Sequence, residues 1–288
     1  MKEYQAKILV PEKHELAESP FYDAQRDRLS WVDITAKKLY TLSGGKKECF
    51  DLGEQTGAAI PMRDGGFMLA GEKSLRMFSN GKMRELADLT GLYRDYQRSN
   101  DAKSDPFGRV FFGSSVMDGD EHEASGNLFR YDQGKVAVMQ RDTRISNGMA
   151  WSRDRKTFYF SDSLYYAVFA YDYDPETGDL SNRRELFRIE GGCPDGMCID
   201  TQDRLWVAVW GGRRIECRNT ATGEMEAAVR VPAEHVSSCC FFGKDLNRLF
   251  ITTSGSGLQG ETDGFLFECA VDAKGTETDY PGQENEPA

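Results

Sequence analysis

The sequence predicts an all-β fold, a six-bladed β-propeller with four-stranded antiparallel blades, and three observations predict it. Helical periodicity is hard to find anywhere, while short β-rich runs recur between turn signals. Six of those runs fit one template: 29–33 (LSWVD), 66–70 (GFMLA), 110–113 (VFFG), 157–161 (TFYFS), 204–208 (RLWVA) and 248–252 (RLFIT). Their starts lie 37 to 47 residues apart, close to the period of a four-stranded blade.

Each run follows a polar turn, such as Gln25-Arg26-Asp27-Arg28 or Thr201-Gln202-Asp203, which suits a hairpin. Several are followed by another strand pattern, as at 38–42, 127–131 and 167–171, which supplies the third strand of a blade. The run 7–10 (KILV) comes too early for the first inner hairpin and suits an outer strand that closes the ring against the C-terminal blade. Repeats of roughly 45 residues account for nearly all 288 positions without a Pro/Gly/Ser linker, so the expectation is one domain over 1–288 with a frayed tail from about 282.

Composition narrows the function. The hydrophobic fraction of 39% supports a sizeable core. A formal charge of -11 repels nucleic acid and anionic membranes, so neither is expected as a partner. The N-terminus lacks a signal-peptide pattern and no window suits a membrane span, which predicts a cytoplasmic address. The seven cysteines (Cys49, Cys193, Cys198, Cys217, Cys239, Cys240 and Cys269) lack paired zinc spacing and read as reduced, mostly buried thiols. Oligomeric state leaves no signal in the sequence.

Nine to eleven residues before each core run stand Glu18, Gly57, Asn100, Asn147, Asp195 and Ser237. In a propeller the innermost strands line the central channel, so these positions would face one another around the axis. Two carboxylates and two amides there form an oxygen-rich cage suited to a hard divalent cation such as Ca²⁺, Mg²⁺ or Mn²⁺. Arg98 precedes Asn100 by two residues and, on a strand of period two, points to the same face. Taken singly, Pro194-Asp195-Gly196 and Ser146-Asn147-Gly148 are turn signatures; their shared offset from the core runs marks them as more.

Other motifs fall away. The stretch 66–74 nearly matches a phosphate loop, but Glu72 intervenes before Lys73 and the context is β. His14, His122 and His235 are isolated, and no Gly-x-Ser-x-Gly elbow occurs. Of the four tryptophans, Trp210, followed by Gly211-Gly212, is the one that can reach the mouth of the pocket.

The words LAESP (16–20), RSND (98–101), ISNGMAWS (145–152) and CPDGMCID (193–200), together with FYFSDSL (158–164), LSNRR (180–184) and SSCCF (237–241), resemble the regucalcin (senescence marker protein) and gluconolactonase family over roughly residues 14 to 275. The resemblance is strongest to its regucalcin branch. It implies that Glu18, Asn147 and Asp195 ligate one divalent ion, be it Ca, Zn, Mn or Mg. It also implies that Arg98, Asn100 and an acid after the third core run bind the hydroxyls of a sugar lactone. By position that acid is Asp118; Asp120, Glu121 and Glu123 are alternative alignments. The expected activity is metal-dependent hydrolysis of sugar-acid lactones, with Asp195 also serving as general base. Two alternatives stand beside it: a calcium-binding regulatory or scaffold propeller without catalysis, and a metal-dependent aryl-ester or phosphotriester hydrolase.

Overall fold

The structure, a computed structural model, describes residues 1–116 and 126–282. The chain opens with β1 (Lys2–Gln5) and β2 (Lys7–Val10). Four four-stranded sheets then follow the same plan, each strand pairing antiparallel with the next. They are β3 (Ala17–Asp23) to β6 (Lys46–Asp51) by way of β4 (Arg28–Asp33) and β5 (Lys38–Ser43), and β7 (Thr56–Pro61) to β10 (Lys82–Asp88) by way of β8 (Phe67–Gly71) and β9 (Ser74–Ser79). The next pair are β11 (Gln97–Ser104), β12 (Val110–Val116), β13 (Gly126–Asp132) and β14 (Lys135–Thr143), then β15 (Ser146–Trp151), β16 (Thr157–Asp162), β17 (Ala167–Tyr173) and β18 (Leu180–Arg188). The remaining strands are β19 (Cys193–Ile199), β20 (Arg204–Trp210), β21 (Arg214–Asn219), β22 (Met225–Arg230), β23 (His235–Phe242), β24 (Arg248–Ser254) and β25 (Leu266–Ala270).

The strand pairing corrects the expectation of six four-stranded antiparallel blades. The fold is an all-β propeller, but only four of its sheets are discrete four-stranded blades; β1, β2 and β19 to β25 form one nine-stranded sheet. Two contacts make the difference. Trp210 of β20 pairs with His235 of β23, joining strands that the repeat would keep apart. And β1 adds to β22 in parallel, so the sheet is not purely antiparallel. The run 7–10 does pair with β25, where it supplies an edge that the C-terminal strands lack.

The template runs all fall in second strands of their hairpin units: β4, β8, β12, β16, β20 and β24. Their partners β3, β7, β11, β15, β19 and β23 lie side by side in a closed ring. These inner strands are buried almost throughout, because both faces are covered by neighbouring sheets. Outermost strands such as β10 and β18 are rich in exposed Lys, Arg and Glu, which discourages edge-to-edge pairing. Among the described residues no helix is long and apolar enough to cross a membrane.

Buried acid–base pairs pin several turns from the first strand to the second. Asp105 is fully enclosed and accepts from the backbone N–H of Phe107 (2.9 Å) and of Arg109 (2.9 Å), from Arg109 Nε (2.7 Å) and from Tyr173 Oη (2.6 Å). Asp200 does the same for Arg204 and Trp206. Removing such a carboxylate strands a buried guanidinium, so Asp105→Ala should lose about 3–5 kcal/mol of stability. Thermal unfolding should show a fall in Tm of about 10 °C, whereas breaking the exposed Lys46–Glu48 pair with Lys46→Ala should leave Tm within about 2 °C.

Candidate functional site

At one end of the ring every inner strand carries a bulge. The register slips between Glu18 and Phe21, Thr56 and Ala58, Ser99 and Ala102, Ser146 and Met149, Pro194 and Met197, and Val236 and Ser238. The six ring positions read from the sequence all sit at or inside these slips. A bulge leaves a residue unpaired and re-aims its side chain, so the repeat places a turned-in residue on every inner strand at one level.

The six are not equivalent. Gly57 offers no side chain; a Cβ there would run into the carbonyl oxygen of Asn100, so its role is to let β7 approach β11. Ser237 is spent on structure, its Oγ donating to Ala17 O (2.5 Å) and bonding Thr252 Oγ1 (2.9 Å). Glu18, Asn100, Asn147 and Asp195 remain, each buried. Gly148 lets β15 close on β19, since a Cβ would stand 2.6 Å from Asp195 O.

A directed chain of hydrogen bonds links them. Arg98 Nη1 donates to Asn100 Oδ1 (2.7 Å) and to Ser99 O (2.9 Å). Asn100 Nδ2 donates to Asn147 Oδ1 (2.8 Å) and to Ser146 O (2.9 Å). Asn147 Nδ2 donates to Ser163 Oγ (2.8 Å), and Ser163 Oγ donates to Pro194 O (2.7 Å), next to Asp195. Arg98 and Asn100 are thus brought against Asn147. Asp118 and its alternatives Asp120, Glu121 and Glu123 lie outside the described residues.

Sequence reasoning missed three kinds of residue. Asp101 follows Asn100 inside the same bulge and is a third buried carboxyl. Ser163, in a short 3₁₀ turn over Ser163–Tyr165, bridges β15 to β19. Asp33 and Asp162, at the ends of β4 and β16, clamp the backbone just ahead of Glu18 and Asn147: Asp33 accepts from the N–H groups of Glu15 and Leu16, Asp162 from those of Arg144 and Ile145. The signal was present, since each acid stands 15 residues after its ring position, Asp33 after Glu18 and Asp162 after Asn147.

The electrostatics are those of like charges kept from water. Burial, then the neighbouring Asp101, pushes the Glu18 carboxyl up to about 8, against the Ser19 N–H and Arg98. Burial, then Glu18 and Asp101, raises Asp195 well above the carboxylate range. Burial raises Asp101 too, opposed by Lys103. Burial lowers Arg98 to about 10, opposed by Glu18. Asp195 Oδ1 is enclosed and has no hydrogen-bond partner among the described residues. A divalent cation would offset the crowded carboxylates and give Asp195 Oδ1 a partner, and the donors, two carboxylates with one neutral amide oxygen, are of the hard kind such an ion takes. Among the described residues no group of three or more His, Cys, Asp and Glu is placed to hold a metal by itself. A cavity of about 370 Å³ lies elsewhere, at the far ends of the inner strands among Pro20, Lys103, Cys198 and Cys240, covered by residues 276–279.

Comparison with known proteins follows the same outline. The family model of the SMP-30/Gluconolactonase/LRE-like region matches residues 16–255. Regucalcin of Danio rerio is 36% identical over 267 residues, covering 91% of this chain and 90% of that protein. The structure of a luciferin-regenerating enzyme superposes with a TM-score of 0.88 at 27% identity, covering 93% of this chain and 96% of that one. Regucalcin of Agrobacterium tumefaciens, described as a calcium-binding protein, superposes with a TM-score of 0.91 at 23% identity, covering 98% and 99%.

The raised carboxyls fix how stability depends on pH without metal. A folded-state pKa above the unfolded value means that the folded state holds the extra proton, so stability is full below the unfolded value of Glu18, 4.5, and is lost as pH rises through about 8. In chelator, Tm should therefore fall between pH 5 and pH 8. Glu18→Gln should flatten that slope, and saturating Ca²⁺ should abolish it; a Tm that rises with pH in chelator would contradict the buried cluster.

Proposed function

The chain belongs to the SMP-30/gluconolactonase/LRE-like family, and from that premise we propose that it is a divalent-metal-dependent hydrolase of sugar-acid lactones. The observation that carries the reading is the Oδ1 of Asp195, enclosed near Glu18 and Asp101 at the turned-in end of the ring and without a partner among the described residues. Glu18, Asn147 and Asp195 would hold the ion. When bound, it supplies a Lewis acid for the lactone carbonyl and acidifies water.

The chain's own groups do the rest. Asn147 presents a fixed amide oxygen, because Asn100 and Ser163 take up its remaining bonding capacity. Asp195 accepts the proton of the attacking water as that oxygen bonds to the carbonyl carbon. The ring C–O bond then breaks, and the same proton goes to the departing alkoxide, leaving an open-chain sugar acid with a new hydroxyl. Arg98 donates to hydroxyl or ring oxygens from its planar fork, which favours a polyhydroxylated substrate over an aryl ester or phosphotriester.

A second reading, a calcium-binding protein without turnover, draws on the description of the Agrobacterium relative. Assays on gluconolactone, galactonolactone, arabinolactone and xylonolactone separate the two: metal-dependent turnover of at least one is expected, and metal dependence confined to stability would favour the second reading. Asp195→Asn should keep the fold and lower kcat by about 10²–10⁴-fold, since an amide cannot accept the proton. Near-normal turnover in that variant would remove Asp195 as base. Glu18→Gln takes away an anionic ligand and should weaken divalent-ion affinity about tenfold or more in a calorimetric titration.

A further inference from the structure

Among the described residues, one side chain at the mouth of the ring has no part in the scheme above. His235 opens β23 two residues before Ser237, just as Arg98 stands two residues before Asn100 on β11. The ring places β23 three strands from β11 in either direction, across the axis. His235 therefore occupies the level of Arg98 on the opposite wall. It shares a rung with Trp210, which also pairs with Cys193 at the start of the strand that bears Asp195.

The imidazole lies flat on the Trp210 indole, with centroids 4.2 Å apart and planes at 14°. Its Nδ1 is enclosed and has no partner among the described residues, whereas Nε2 is neither enclosed nor bonded to any of them. A proton on Nδ1 would bury an N–H without an acceptor, which favours the neutral tautomer with its proton on Nε2. Burial lowers the pKa of His235 although Glu234 and Asp263 raise it, which fits a neutral ring. In that tautomer Nε2 has no lone pair to offer a metal. What it presents to the mouth is one oriented, uncharged N–H donor.

We propose that His235, held by Trp210, forms the second wall of the lactone site and donates Nε2–H to a substrate hydroxyl or ring oxygen opposite Arg98. This rests on the lactonase reading and adds a specificity-determining residue to it. The test compares gluconolactone with δ-valerolactone, which has no hydroxyls, on wild type, His235→Ala and His235→Gln. His235→Ala should raise KM for gluconolactone about three- to tenfold, the worth of one neutral hydrogen bond, with kcat changed by less than about twofold. KM for δ-valerolactone, Ca²⁺ affinity and Tm should stay at wild-type values, and His235→Gln, which restores a neutral donor, should recover part of the loss. Wild-type KM for gluconolactone in His235→Ala, or an equal loss on both lactones, would overturn the proposal. Should His235→Ala fail to fold, His235→Gln and Trp210→Phe, with KM raised for gluconolactone alone, carry the same decision. If the wild type turns over no lactone, the lactonase reading falls; gluconate titration followed by tryptophan fluorescence then judges His235 alone, a loss of affinity in His235→Ala supporting it and no change overturning it.

Discussion

Three buried carboxyl groups, those of Glu18, Asp101 and Asp195, lie at one end of a ring of strands, and burial raises the pKa of each, with like-charged neighbours adding to the rise at Glu18 and Asp195. Like charges in a poorly solvated space stay together only if the backbone that carries them cannot yield. The surrounding architecture supplies that stiffness. Arg98 and Lys103 offset part of the charge from the same strand, β11, so one inner strand brings the third acid, the Lys103 that restrains it and the Arg98 that restrains Glu18.

The stiffness comes from how the inner strands meet. At this end they approach so closely that Gly57 and Gly148 have no room for a methyl group. Asp33 and Asp162 fix the backbone leading into Glu18 and Asn147 with paired N–H bonds. The departure from separate blades falls at this same face. The pairing of Trp210 with His235, which fuses two hairpin units into the nine-stranded sheet, runs along the mouth beside the strand that bears Asp195. Cross-unit hydrogen bonding there trades the independence of two sheets for a rigid rim.

Much of this was legible in the sequence because it repeats. The six core runs are strands, and the residues nine to eleven positions before them fall at the bulges. Period-two reasoning fails at those same bulges: it would turn Asp101 away from Asn100's face, yet the slip after Ser99 leaves both in the unpaired stretch, and Asp101 acts on both Glu18 and Asp195. Gly57 and Ser237 satisfy the offset without supplying ligands, since only packing reveals that one is a spacer and the other is bonded to Ala17. The joined sheet was not legible, because a single bridge between strand ends depends on backbone approach and leaves no pattern of side chains. Nor was β1, whose four residues are mostly exposed and whose parallel pairing has no hydrophobic signature.

The hydrogen bonds from Arg98 through Asn100, Asn147 and Ser163 to Pro194 all run in one direction, donor to acceptor, from the proposed substrate wall to the strand of Asp195. Each amide is thereby fixed in one orientation, and Asn147 has to turn its oxygen toward Asn100 because its nitrogen is committed to Ser163. The wall that would hold a sugar and the cage that would hold an ion are then parts of one bonded unit. A cation that draws on Asn147 Oδ1 polarises the amide that Asn100 orients, and a substrate that pulls on Arg98 acts on the same Asn100. If each ligand binds as proposed, linkage requires that whatever the ion adds to the affinity for substrate, the substrate adds to the affinity for the ion.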